Sequence, residues 1–267
     1  MVFLVAMVSI GWGIAFLSLA MLLQEMAPMQ LLAARWGITA FLFFLLILTG
    51  RVNIHIRGKK NILFLFLTGL FEPCAYSILE AYGVKMTSAS VSAIFVATIP
   101  CMTLILGILF FRHRADLKLV LSLLVAFVGV AAATLFSPMF HVGGTRTGML
   151  CMMLGVIAAS MYSLSSKKAS SDFDAMTVTA VMAFEGAILF NAIALVRGYG
   201  PETYTILFTD WKIMANILFL AVFCAVASYA CYNRLLNYVE PALGNNIVSS
   251  LSTVIGVVAG VAVMGDV

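Results

Sequence analysis

Long apolar runs separated by short polar breaks make up nearly all of this sequence. The runs between the breaks predict nine helices, over residues 2–23, 29–49, 61–82, 88–111, 118–136, 148–166, 175–196, 213–232 and 242–264. Each run stays apolar for about twenty residues, the length an α-helix needs to cross a ~30 Å hydrocarbon core. A transmembrane β-barrel would instead alternate polar and apolar positions over ~10-residue stretches. The first run has no basic stretch ahead of it and continues through Leu22 to Gln24 and Glu25 without a clear cleavage pattern, so it reads as a helix and not as a signal peptide.

Composition agrees with the pattern. The chain is 63% hydrophobic and 10% charged, against about 25% charged in soluble domains, which excludes a water-soluble fold. Cys74, Cys101, Cys151, Cys224 and Cys231 all lie within apolar runs and form no C-x-x-C pair, so they read as packing residues. The net charge of +4 is an orientation signal. With the amino end inside, the inner loops hold Arg51, Arg57, Lys59, Lys60, Arg112, Arg114, Lys118, Lys167, Lys168 and Arg234, and the outer loops only Lys85, Arg146, Arg197 and Lys212. That asymmetry predicts a multi-pass protein of the cytoplasmic (plasma) membrane with its amino end inside. No continuous basic stripe forms, so nucleic acid is not an expected partner. His55, His113 and His141 lie in or beside separate loops without metal-ligand spacing, so no metal or cofactor is expected.

The loop from Ser137 to Thr147 separates two sets of runs with similar punctuation. Shifting residues 74–116 by 153 lays the third and fourth runs over the eighth and ninth, pairing Tyr76 with Tyr229, Ala89 with Ala242, Ile94 with Ile247 and Gly107 with Gly260. Five helices per unit is an odd number, so the second unit enters the membrane from the opposite side, as in the inverted repeats of secondary transporters. The expected fold is an all-α membrane protein of two inverted five-helix repeats. Residues 1–136 form the first, and residues 148–267 form the second with four spans. A tenth helix is expected after Val267.

Trp12-Gly13 in the first run, Pro28 followed by Arg35 opening the second, and Thr87-Ser88-Ala89-Ser90 leading into a run that contains Pro100 are features in which the chain resembles EamA-type members of the drug/metabolite transporter superfamily. The resemblance spans essentially the whole chain. It implies a ten-helix, two-repeat carrier of diverse small solutes, a pattern from which this sequence departs at its end.

A charged side chain at the centre of a membrane helix costs at least ~2.5–3.5 kcal/mol, so such a residue is expected to face the bundle interior. Glu72 lies near the middle of the third run, and Tyr76 and Glu80 follow at i+4 and i+8, which places all three on one face of a continuous helix. Pro73 cannot donate to the Gly69 carbonyl one turn earlier. This face is the leading candidate for a wall that binds substrate or protons. The competing reading is a structural carboxylate bonded to a neighbouring Ser, Tyr or Arg, and for Glu80 a place at the outer interface. Glu185, near the centre of the seventh run, is expected to share a cavity with Glu72, where mutual repulsion favours a retained proton, or else to make a helix-packing hydrogen bond. Arg35 either neutralises Glu72 or a substrate carboxylate, or snorkels to the outer surface.

Trp12, Tyr162, Tyr229 and Tyr232 supply aromatic walls with polar tips, or act as packing and interface anchors. Asn245 and Asn246, with Ser249, Ser250 and Thr253, make the ninth run unusually polar, and Asn233 falls where the shift places Glu80. These line a cavity or bond between helices. Gly256-x-x-x-Gly260 and the stretch from Ser88 to Ala93 permit close backbone approach. The expected substrate-binding set is therefore Glu72, Tyr76, Glu80, Glu185, Arg35, Trp12, Tyr229, Asn245 and Asn246.

These features predict a secondary transporter of a small metabolite or drug-like solute working by alternating access, with proton coupling as a sub-reading. A non-transporting receptor or assembly factor is the alternative. An intramembrane enzyme is the further alternative, disfavoured because the sequence contains no H-E-x-x-H, no G-x-S-x-G and no histidine within a run.

Overall fold

The computed structural model describes residues 1–54, 56, 60–87, 89–112, 116–135 and 145–264. Every regular element among them is helical: α1 (Val2–Glu25), α2 (Pro28–Leu48), α3 (Ile62–Met86), α4 (Ala89–Ala97 and Ile99–Phe111), α5 (Leu117–Leu135), α6 (Arg146–Ala169), α7 (Ala175–Val196), α8 (Trp211–Leu235) and α9 (Pro241–Met264). Six of these, α1, α2, α3, α6, α7 and α8, are long and apolar enough to cross a membrane. A short helical turn, Glu202–Thr205, precedes α8. His55, His113, His141, Ser88 and most of the loop from Ser137 lie outside the described residues.

Local chemistry sets the helix ends. Pro28 starts α2 where its missing N–H is no loss. Asp174 caps α7 by accepting the Thr177 amide at 2.9 Å, and Thr145 caps α6 by accepting the Gly148 amide at 3.0 Å. Lys167 and Lys168 sit in the last turn of α6, facing the negative end of its dipole.

Two helices depart from regular winding. In α3 the segment Leu70–Ala75 is wound wider than an α-helix, and Glu72 within it is extended, with φ −139° and ψ 116°. A residue before proline is pushed out of the helical region by the proline ring, so Pro73 accounts for the break. In α8 the wide segment is Phe219–Ser228. Side chains meet its displaced carbonyls: Ser228 Oγ donates to Phe223 at 3.0 Å, and Thr39 Oγ1 from α2 donates to Ala221 at 3.2 Å.

The helices pack in a reciprocal pattern. α1 lies against α8 and α9, while α6 lies against α3 and α4; α2 pairs with α7, and α4 touches α9. The core sits between these pairs, built from residues such as Trp36, Phe43, Met182, Phe190, Ile217 and Tyr232. Small residues set the closest approaches. A Cβ at Gly13 would lie 2.8 Å from the Ser252 carbonyl, and one at Gly256 would lie 3.0 Å from the Gly13 carbonyl. The Gly256 end of the expected small-residue motif thus meets α1; the surroundings of Gly260 lie outside the described set.

Gly186 is a tight joint near the α3 break, since an added Cβ would stand 2.5 Å from Pro73 Cγ and 3.1 Å from Trp36 Cδ2. Gly186→Ala is expected to destabilise the protein by about 1–3 kcal/mol through overpacking. Gly129→Ala, with nothing within 4 Å of its added Cβ, should not. Thermal unfolding of both variants in detergent checks the contrast.

Candidate functional site

The break in α3 delivers a carboxylate into the bundle. Glu72 is only 2% exposed. Its Oε1 accepts from Tyr229 Oη at 2.6 Å and from Ser77 Oγ at 3.2 Å, while Oε2 is buried without a partner. Below the break α3 regains its winding, and Tyr76 Oη donates to Glu80 Oε1 at 2.7 Å across one turn. The expected single face from Glu72 through Tyr76 to Glu80 therefore needs correction. The i+4 step holds between Tyr76 and Glu80, but the extended backbone at Glu72 interrupts the helical register above them. The two carboxylates still lie within electrostatic reach of each other.

Arg35 is buried, its guanidinium 5.2 Å from the centroid of the Trp36 ring and its Nε without a partner. Tyr229, Glu80 and Glu72 are within its electrostatic reach. Of the readings open for Arg35, the snorkelled one does not match the structure, because the side chain turns into the bundle.

Aromatic rings form the wall beside these groups. Trp12 lies 5.3 Å from Tyr229 and 5.0 Å from Tyr232, between ring centroids; Tyr162 lies 5.8 Å and 5.9 Å from the same two rings; Trp36 stands 6.0 Å from Tyr229. The indole nitrogens of Trp12 and Trp36 are buried and unpaired. Two asparagines anchor the tyrosine tips. Asn233 Oδ1 accepts from Tyr162 Oη at 2.8 Å and Ser166 Oγ at 2.7 Å, and its Nδ2 donates to Thr179 Oγ1 at 2.9 Å. Asn245 Oδ1 accepts from Tyr232 Oη, and its Nδ2 donates to Thr103 Oγ1 at 2.9 Å and Ser163 Oγ at 3.1 Å. Polar groups in a membrane interior need such partners.

Glu185 does not join this cluster. It lines an open crevice of about 400 Å³ with Leu70, Cys74, Ile188 and Leu189. Glu72 is not among the residues lining this crevice, and the Glu185 carboxylate rests against Gly69 of α3. Asn246 is half-buried and enters none of these hydrogen bonds. Thr253 Oγ1 bonds within its own helix, to the Ser249 carbonyl at 2.9 Å.

Trp36, Ser77, Thr103, Ser163, Ser166 and Thr179 belong to the site but were not legible as such. Trp36 sits in an apolar run beside Arg35, and the hydroxyls gain meaning only from partners on other helices. Among the described residues no group of three or more His, Cys, Asp or Glu is placed to hold a metal.

Bonds close the bundle at both ends of this site. At one end Asp172 Oδ2 accepts the amides of Lys60 and Asn61 at 3.1 and 2.9 Å, and Asn61 Nδ2 donates to Ser171 Oγ at 2.9 Å. At the other, Arg197 Nη1 donates to Tyr82 Oη at 2.8 Å. Nearby, Tyr204 Oη donates to Asn191 Oδ1 at 2.6 Å. In the exposed turn before it, the Gly200 amide bonds the Glu202 carboxyl at 2.6 Å and, with the Glu202 amide, holds it below the usual carboxylate range.

Asn245→Leu removes a partner shared by Tyr232, Ser163 and Thr103, each of which keeps another hydrogen bond, so about 0.5–1.5 kcal/mol of stability should be lost per bond removed. Asn246→Leu should leave the melting temperature unchanged. Paired thermal unfolding curves read the difference.

Comparison with known proteins adds the family context. The EamA-like transporter family model matches residues 1–135 and 146–267. The chain is similar to "Uncharacterized transporter YcxC" of Bacillus subtilis (strain 168), at 25% identity over 258 residues, covering 95% of this chain and 82% of that protein. It is also similar to an "Uncharacterized transporter" of Archaeoglobus fulgidus, at 25% identity over 219 residues, covering 82% of this chain and 74% of that one. One solved crystal structure shares the fold with a TM-score of 0.70 at 16% identity, covering 98% of this chain and 89% of its own.

Proposed function

The chain belongs to the EamA-like transporter family, and we propose that this membrane transporter is a secondary carrier. It moves a small metabolite or drug-like solute across the cytoplasmic membrane, amino end inside, by alternating access around the cluster of Glu72, Arg35 and the aromatic wall. The observation that carries the reading is the pair of buried, unpartnered polar atoms, Glu72 Oε2 and Arg35 Nε, beside rings drawn from α1, α2, α6 and α8. Buried groups of this kind are costly in a membrane, and a solute bearing a complementary charge supplies the missing partner. The aromatic wall suits the apolar body of an amphipathic solute.

The reciprocal packing supports two inverted repeats of a ten-helix carrier, residues 1–136 and 148–267. α1 against α8 and α9 is mirrored by α6 against α3 and α4, and the α2–α7 and α4–α9 contacts are each what a two-fold relation makes of corresponding helices. The wide segments of α3 and α8 overlap under the 153-residue shift. Two such halves can rock about a midplane site, with the bonds at either end breaking in turn.

Proton coupling belongs to the same reading, with Glu72 as the group that exchanges a proton as solute binds. In proteoliposomes under an imposed pH gradient, uptake is measured for three probes that share an aromatic body: phenethylamine, phenylalanine and phenylacetate. The wild-type protein is expected to accumulate at least one. Glu72→Gln should cut gradient-driven uptake by about tenfold or more, the scale of one lost charge-assisted hydrogen bond. Undiminished gradient-driven uptake by that variant would remove Glu72 from the coupling step.

A further inference from the structure

Glu185 lies midway along α7, where its helix faces the break in α3. Its carboxylate has no hydrogen-bond or ion-pair partner among the described residues, although it is half-buried. The crevice of about 400 Å³ that it lines is otherwise walled by Leu70, Cys74, Ile188 and Leu189, a volume within the range that holds small organic ligands. Leu70 is 53% and Ile188 73% exposed, so the mouth lies on the apolar outer surface of the bundle and faces hydrocarbon.

The crevice is shaped around the carboxylate. A Cβ at Gly69 would collide with Glu185 Oε2, so glycine at this position is what lets the carboxylate rest against α3. A carboxylate held in apolar walls and offered no cation by the protein needs a positive charge from outside. Its surroundings admit hydrocarbon and exclude a hydrated ion. An ammonium head on an apolar tail satisfies both requirements, and the open mouth supplies its route.

We propose that the crevice between α3 and α7 is a lateral binding site for a lipophilic amine drawn from the bilayer, its ammonium held by Glu185 and its tail by Leu70, Ile188 and Leu189. The site is separate from the Glu72 cluster and does not depend on the transport reading.

The test uses the full chain in nanodiscs of neutral phosphatidylcholine, with binding of radiolabelled dodecylamine and dodecanol corrected for empty nanodiscs. Dodecylamine is expected to bind saturably, and dodecanol, which keeps the tail and lacks the charge, at least about tenfold more weakly. Glu185→Gln keeps the side-chain shape and should weaken dodecylamine binding by about tenfold with an unchanged melting temperature. Gly69→Ala keeps the charge but displaces the carboxylate, and should weaken binding as well. Equal binding of the two probes would mean an apolar groove only. Unaltered dodecylamine binding by Glu185→Gln would mean that the carboxyl takes a proton and no amine. Loss of binding in Glu72→Gln but not in Glu185→Gln would place the amine in the central cluster. Each of these three results overturns the proposal.

Discussion

In hydrocarbon no water is available to satisfy a polar group, so each one must find its partner inside the protein or from a ligand. The arrangement around Glu72 follows from that requirement. Its carboxylate is placed by the break at Pro73, held by Tyr229 and Ser77, and left with one oxygen unpaired. The partners come from opposite halves of the chain, since Ser77 lies on α3 and Tyr229 on α8. A carboxylate that needs both halves for its own stability is well placed to sense any movement between them.

The same requirement explains the asparagines. Asn233 and Asn245 each have a donor and an acceptor group, and each bonds hydroxyls on other helices: α6 and α7 for the first, α4, α6 and α8 for the second. They hold the tips of Tyr162 and Tyr232, whose rings lie against each other, with Tyr232 also against Trp12. Apolar contact alone could not fix the ring orientation, because lipid offers the outer faces of these helices an equally apolar surface. The polar bonds therefore set the shape of the wall, and packing of small residues such as Gly13 against α9 brings the helices close enough for those bonds to form.

Most of the fold was legible in the sequence, because hydrocarbon imposes one demand on every helix and the apolar runs record it directly. The predicted run 175–196 coincides with α7, and 118–136 differs from α5 by one residue at each end. The interior position of Glu72 was legible for the same reason. What lay beyond the pattern was whatever depends on the break in α3. Periodicity assumes a regular helix, so it placed Glu72 in register with Tyr76, whereas the backbone at Glu72 is extended before Pro73. Arg35 could be read either way from its depth, and its burial beside Trp36 is visible only in the folded bundle. Thr103, Ser166 and Thr179 carry no sequence signal, since a hydroxyl in an apolar run looks the same whether it bonds its own helix or another.

Under the proposed alternating access, the Glu72 cluster is reached from each side of the membrane in turn. A cysteine-free background carrying Ser77→Cys, beside Glu72, reports on that directly through its modification by a membrane-impermeant thiol reagent. A second version adds Asn61→Cys and Ser171→Cys, at the 2.9 Å contact that closes one end, oxidised to a disulfide before labelling. Position 77 is expected to be modified from both sides in the free protein and, once that end is locked, from the opposite side alone. Modification from the locked side, or from neither side in either protein, would contradict it.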